Sequence, residues 1–125
     1  METVPYPKEY LEGIEHFNRA EFYESHARFE EIWRKAEGLK KLYYQALIQA
    51  AVAIYQLGKQ KLRGAMLLYQ DSMDRLAKMP DQYMGINVRK FEQQLSLFMN
   101  PYRSLLPGDK ISVDSTKFPK IHIDG

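Results

Sequence analysis

Residues 39–57 read LKKLYYQALIQAAVAIYQL. The run is apolar nearly all round once wound as a helix, which marks a central, buried helix rather than one lying on a surface. Three glutamines interrupt it, Gln45, Gln49 and Gln56. Their spacings of four and seven put them on one stripe. Amides on a buried helix need partners, because an unpaired one costs about 1–3 kcal/mol.

Working outward, the segments on either side keep the helical period. Upstream, Phe22, His26, Phe29 and Trp33 recur at four, three and four, which predicts a helix over about 22–36 ended by Gly38. Glu24–Arg28 and Glu31–Lys35 are acid-to-base pairs four apart, suited to its wet face. A shorter helix over about 8–18 carries Tyr10, Ile14 and Phe17 on one stripe, behind Pro5 and Pro7. Downstream, Gly58 stops the central helix, and Leu62, Ala65, Leu68, Ser72 and Leu76 mark a fourth over about 61–79. Gly64 sits inside it at a cost of about 1 kcal/mol against Ala, so a close helix crossing at Gly64–Ala65 is expected. Residues 80–87, PDQYMGIN, form a turn-rich connection, and Asn87 is a good N-cap for a fifth helix over about 88–99, broken by Pro101.

The last quarter differs. Pro101, Pro107, Gly108, Asp109, Asp114 and Pro119 suit extended chain, and Phe118, Ile121, His122 and Ile123 suit a short strand or apolar arm. The reading is a helical domain over 1–100 and an extended C-terminal arm over 101–125 that packs on the bundle or on a neighbouring subunit. Phe22–Trp33 and Leu62–Met73 both follow a short polar turn and open a helix 40 residues apart. That echo predicts two helix hairpins packed alike.

Composition limits the function. The 125 residues are one domain's worth, 45% hydrophobic and 27% charged, which excludes disorder throughout. With no cysteine there is no disulfide, thiolate zinc site or cysteine nucleophile. No run of 18 apolar residues and no basic-then-apolar leader is present, so a cytoplasmic chain without membrane insertion is expected. The net charge of +2 is unevenly spread. Residues 1–37 hold nine acids and five bases, residues 38–70 five bases and no acid, and residues 71–125 eight bases and seven acids. Lys59, Lys61 and Arg63 form a basic segment near one turn, an alternative nucleic-acid contact, but no DNA- or RNA-binding signature accompanies it.

At this point the ordered motifs are informative together. FNRAEFYESHARFEEIW (17–33), YYQALIQAAVAIYQL (43–57), RGAMLLYQDSMDRL (63–76) and YMGINV (83–88) resemble the bacterial and archaeal domain-of-unknown-function family 309, over about residues 10–99. The resemblance implies an all-α fold: about five helices in an antiparallel, tetratricopeptide-like bundle. It supplies no catalytic activity, since the family's function is unassigned. The family's pattern falls on Asn18, on His26, Glu30 and Trp33, on Gln45 and Gln49, and on Gly64 and Ala65. The chain departs from it at Ala20 and Ala46, where the family often has Gly, at Ala27 (Glu), at Gln56 (His) and at Asn87 (Asp).

His26 and Glu30 are the candidate site, since side chains four apart on a helix meet or converge. One reading is an inter-helical polar pocket completed by Gln45, Gln49 and Tyr44 or Tyr55, able to hold a small molecule or position a proton. The plainer one is a buried hydrogen-bond network that sets helix register. His-x-x-x-Glu supplies two ligands where a catalytic zinc takes three, so no metal or cofactor is expected. Ser25 beside His26 is not a dyad, because adjacent helix positions diverge. Trp33 reads as a core anchor. Nine tyrosines and six phenylalanines are many for this length, and some must reach the surface. The expected function is therefore a non-enzymatic protein-interaction or adaptor module, self-associating or bound to a protein partner.

Overall fold

The computed structural model describes residues 6–124. The expected element of Pro5 therefore lies outside the described residues. The fold is all-α, with α1 (Lys8–Asn18), α2 (Phe22–Trp33), α3 (Gly38–Gly58), α4 (Leu62–Leu76) and α5 (Val88–Met99). The antiparallel strands β1 (Gln82–Tyr83) and β2 (Ile86–Asn87) lie between α4 and α5. No described helix is long and apolar enough to cross a membrane.

The first four helices pack in sequence order, α1 on α2, α2 on α3 and α3 on α4. Helix α3 is central and buries Tyr43, Leu47, Ala50, Ala51, Ile54 and Leu57. The 40-residue echo is visible in the backbone itself. Both hairpins turn through a left-handed residue, Ala20 at φ 62° and Gln60 at φ 66°. In the first, the N–H groups of Ala20 and Glu21 donate to the Phe17 and His16 carbonyls at 3.0 and 2.9 Å. In the second, those of Gln60 and Lys61 donate to Leu57 and Gln56 at 3.1 and 2.9 Å. Both are Schellman caps, which satisfy the last carbonyls of the helix they end.

Several expectations need correction. Helix α2 ends at Trp33, not at Gly38; Gly38, at φ 62°, opens α3. Helix α4 ends three residues before Met79. The guanidinium of Arg89, from α5, donates to the Leu76 carbonyl (3.0 Å) and to that of Met79, capping α4 with a cation where the macrodipole favours one. The close crossing is not at Gly64, where an added Cβ would meet nothing within 4 Å, but at Gly13, where it would lie 2.5 Å from the Phe29 ring. The expected ladder of pairs on α2 is also different: Arg28 reaches Glu31 at 2.7 Å and Glu12 at 4.0 Å. The connection 80–87 is a hairpin whose turn residues, Met84 and Gly85, both have positive φ, the geometry that matches strand twist. Pro101 does not end the helical path at once, since residues Asn100–Ser104 continue as a 3-10 helix. The Asn87 side chain caps α5 as expected, accepting from the Lys90 N–H at 3.0 Å.

The arm lies over its own bundle. Two amides clamp it at both backbone groups, in the manner of a strand partner. Asn18 bonds the Ile121 carbonyl and N–H, each at 2.7 Å. Gln60 bonds those of Ile111 at 2.9 and 2.8 Å. Between the clamps Phe118 sits edge-on to Phe22 and Phe98, at 5.1 and 5.2 Å. The expected short strand is reduced to a single bridge between Ile123 and Ile86.

Candidate functional site

A surface along α3 collects most of the candidate residues. Lys41, Gln45, Ile48, Val52, Tyr55 and Lys59 follow one another at four, three, four, three and four, so they share one face. None of the six is buried, although the rest of α3 is mostly packed. Helix α2 borders this stripe with Tyr23, His26, Glu30 and Trp33, spaced three, four and three. Tyr23 lies 5.8 Å from the Tyr55 ring at one end, and Lys41 places its ammonium 4.4 Å from the Trp33 ring at the other. On the far side, α4 contributes Arg75, which donates to the Gln49 side chain at 3.3 Å.

His26 and Glu30 do not form the expected inter-helical pocket. The His26 Nδ1 donates to the Tyr23 carbonyl at 2.6 Å and its ring stands edge-on to Tyr23 at 5.0 Å. Since a carbonyl only accepts, this contact places a proton on Nδ1. Glu30 accepts from Arg34 at 3.0 Å. Both residues are half-buried members of the face rather than parts of one buried network. The glutamines divide as well. Gln49 is 7% exposed and turned to Arg75, Gln45 lines a surface cleft, and the Gln56 side-chain amide oxygen is buried without a partner among the described residues.

Trp33 is not a core anchor. It is half-buried and, with Gly38, Lys41, Leu42, Gln45 and Arg75, borders an open cleft of about 420 Å³. Tyr23 is 56% exposed. The basic segment is split. Lys59 lies 5.3 Å from the Tyr55 ring on the α3 face, whereas Lys61 and Arg63 border a different cleft, of about 740 Å³, against residues 105–110 of the arm. Ser25 is fully buried and donates to the Gly13 carbonyl at 2.8 Å. Ser72 does the same for Ala46 at 2.8 Å in the second hairpin. Among the described residues no three of His, Asp and Glu gather as metal ligands would.

A second polar cluster was not anticipated. Tyr10 and Tyr43 hydrogen-bond hydroxyl to hydroxyl at 2.8 Å, and Tyr10 donates to the Met84 carbonyl at 3.1 Å. Tyr44, packed against both rings, has a buried hydroxyl with no partner among the described residues. Burial raises the pKa of all three hydroxyls, with Tyr44 pushed up to about 12. The cluster holds α1, α3 and the β-hairpin together and lies within the core, away from the α3 face.

No curated protein matches the chain. The model of a family described as a domain of unknown function, DUF309, matches residues 10–68, from the middle of α1 into α4. This is a shorter span than the 10–99 over which the motifs run, so α5 and the arm stand outside it. The resemblance to the DUF309 family is thus shown over residues 10–68.

Proposed function

We propose that this chain is a non-enzymatic, cytoplasmic interaction module, two tetratricopeptide-like hairpins presenting the α2–α3–α4 face to a protein partner. One observation carries the reading. The central helix is mostly packed, and along Lys41–Lys59 the aliphatic Ile48 and Val52 are only partly covered, beside the half-buried rings of Tyr55 and Trp33. Protein interfaces concentrate their binding energy in Tyr, Trp and Arg, and Tyr23, Tyr55, Trp33 and Arg75 supply these here. An enzymatic reading would need convergent acid–base groups, and the two candidates, His26 and Glu30, are engaged elsewhere.

A photo-crosslinking residue placed at Val52 in living cells tests this, with Glu15 on the exposed side of α1 as the control. A discrete protein adduct at Val52, absent at Glu15 and lost when the face is altered by Ile48→Glu in a folded protein, is the expected result. Adducts that are the same at both positions, or none at either, would overturn it.

A further inference from the structure

Resting on that reading of the face, we propose that its partner is an acidic protein segment, one carboxylate of which is held beside Trp33 between Lys41 and Arg75. Three observations support the assignment.

The first is charge. Lys41, Lys59 and Arg75 line the face, and among the described residues none of them pairs with a carboxylate. The two ammonium groups rest instead on the Trp33 and Tyr55 rings. The acids nearby do not compensate. Glu30 is taken by Arg34, and Arg75 reaches the backbone carbonyl of Asp71, at 3.4 Å, rather than its carboxylate.

The second is the start of α3. Acids favour the first turn of a helix, where the macrodipole is positive, and α1 and α2 carry Glu9 and Glu24 there. Helix α3 has no acid in that turn and carries Lys40 and Lys41 just inside it. Lys40 and Lys41 therefore add positive charge at this end of the face, next to Glu37 at the N-cap, and α4 and α5 likewise lack an acid in the first turn.

The third is shape. The cleft of about 420 Å³ at this end is bordered by both cations, by the Trp33 ring and by the Gln45 amide, a further donor. Arg75 uses only Nη1 in its bonds to Gln49 and Asp71, leaving the rest of the fork for a carboxylate. From Lys41 to Lys59 the face runs about 27 Å at the rise of a helix, so a helical segment of about 18 residues meets both ends. Ile48 and Val52 lie between them and suit its apolar side.

Trp33 is the chain's single tryptophan, so its fluorescence reports directly on this cleft. The probes are two designed amphipathic helical peptides of about 18 residues. They share one apolar face and differ in carrying Glu or Lys on the flanks. A single-stranded oligonucleotide serves as an anion without that apolar face. The Glu peptide is expected to shift Trp33 emission with an affinity that falls as salt rises, and the Lys peptide is not. Lys41→Glu with Arg75→Glu, checked for folding by circular dichroism, should weaken the Glu peptide about tenfold or more and admit the Lys peptide. Equal binding of the two peptides, indifference to the charge reversals, or no binding of the Glu peptide would overturn the proposal. Binding of the oligonucleotide alone would overturn it in favour of nucleic acid. A partner crosslinked at Val52 through a neutral or basic segment would overturn the acidic assignment while leaving the interaction reading in place.

Discussion

Tyr44 and Tyr10 touch in the same cluster, yet their hydroxyls do opposite things. That of Tyr44 is desolvated and has no partner among the described residues, a cost of about 1–3 kcal/mol. That of Tyr10 accepts from Tyr43 and donates to Met84. Tyr44→Phe should therefore leave stability unchanged or raise it by up to about 1 kcal/mol, whereas Tyr10→Phe should lower it by about 1–2 kcal/mol. Urea unfolding followed by circular dichroism separates the two, and equal losses would contradict the assignment of partners. The glycines offer a second contrast. Gly13→Ala drives a methyl into the Phe29 ring and should cost about 2–3 kcal/mol. Gly64→Ala meets open space within a helix and should gain about 0.5–1 kcal/mol. The sequence pointed to the wrong glycine of these two. A helical period shows that a glycine interrupts a helix, but not which ring of another helix faces it.

At the scale of elements, the two hairpin turns are the same device with different side chains. Both need a left-handed residue, which costs an ordinary side chain about 1–2 kcal/mol relative to Gly. Ala20 makes no hydrogen bond through its side chain, so Ala20→Gly should raise the unfolding free energy by about 1 kcal/mol. Gln60 occupies the equivalent place but clamps Ile111 twice. Gln60→Gly should therefore be neutral or destabilising despite the relieved backbone, with faster amide exchange at Ile111. A gain at Gln60 as large as that at Ala20 would show that the clamp contributes nothing. The turn repeat was legible because a 40-residue offset is a local pattern that recurs. The clamps were not, because Asn18 meets Ile121 across 103 residues and Gln60 meets Ile111 across 51. Nothing in either neighbourhood distinguishes these amides from solvated ones.

For the whole molecule, helix order and the central place of α3 followed from periodicity, while the candidate site was legible only in its membership. His26, Glu30, Trp33, Gln45 and Tyr55 do share a surface, as their spacings allow. Which hydrogen bonds they make depends on residues such as Arg34 and Tyr23 that compete for them, and on how far α4 leaves α3 uncovered. The tyrosine cluster ties distant parts of the chain together, so its ionisation acts on the fold as a unit. Burial raises the pKa of Tyr10, Tyr43 and Tyr44 above the ordinary value of 10.0. Below that value the tyrosines are neutral in both folded and unfolded chains and do not affect the balance. Above it the unfolded chain loses protons that the folded one keeps, so stability falls as pH rises. Each tyrosine in that condition adds a slope of about 1.4 kcal/mol per pH unit. The urea midpoint should therefore be insensitive to the cluster up to about pH 10 and fall steeply beyond it. Tyr44→Phe should make the fall shallower while leaving the neutral-pH midpoint unchanged or higher. Tyrosinate absorbance followed in parallel should show these hydroxyls ionising together with unfolding. Full titration of every tyrosine near pH 10 in a chain that is still folded would contradict their burial.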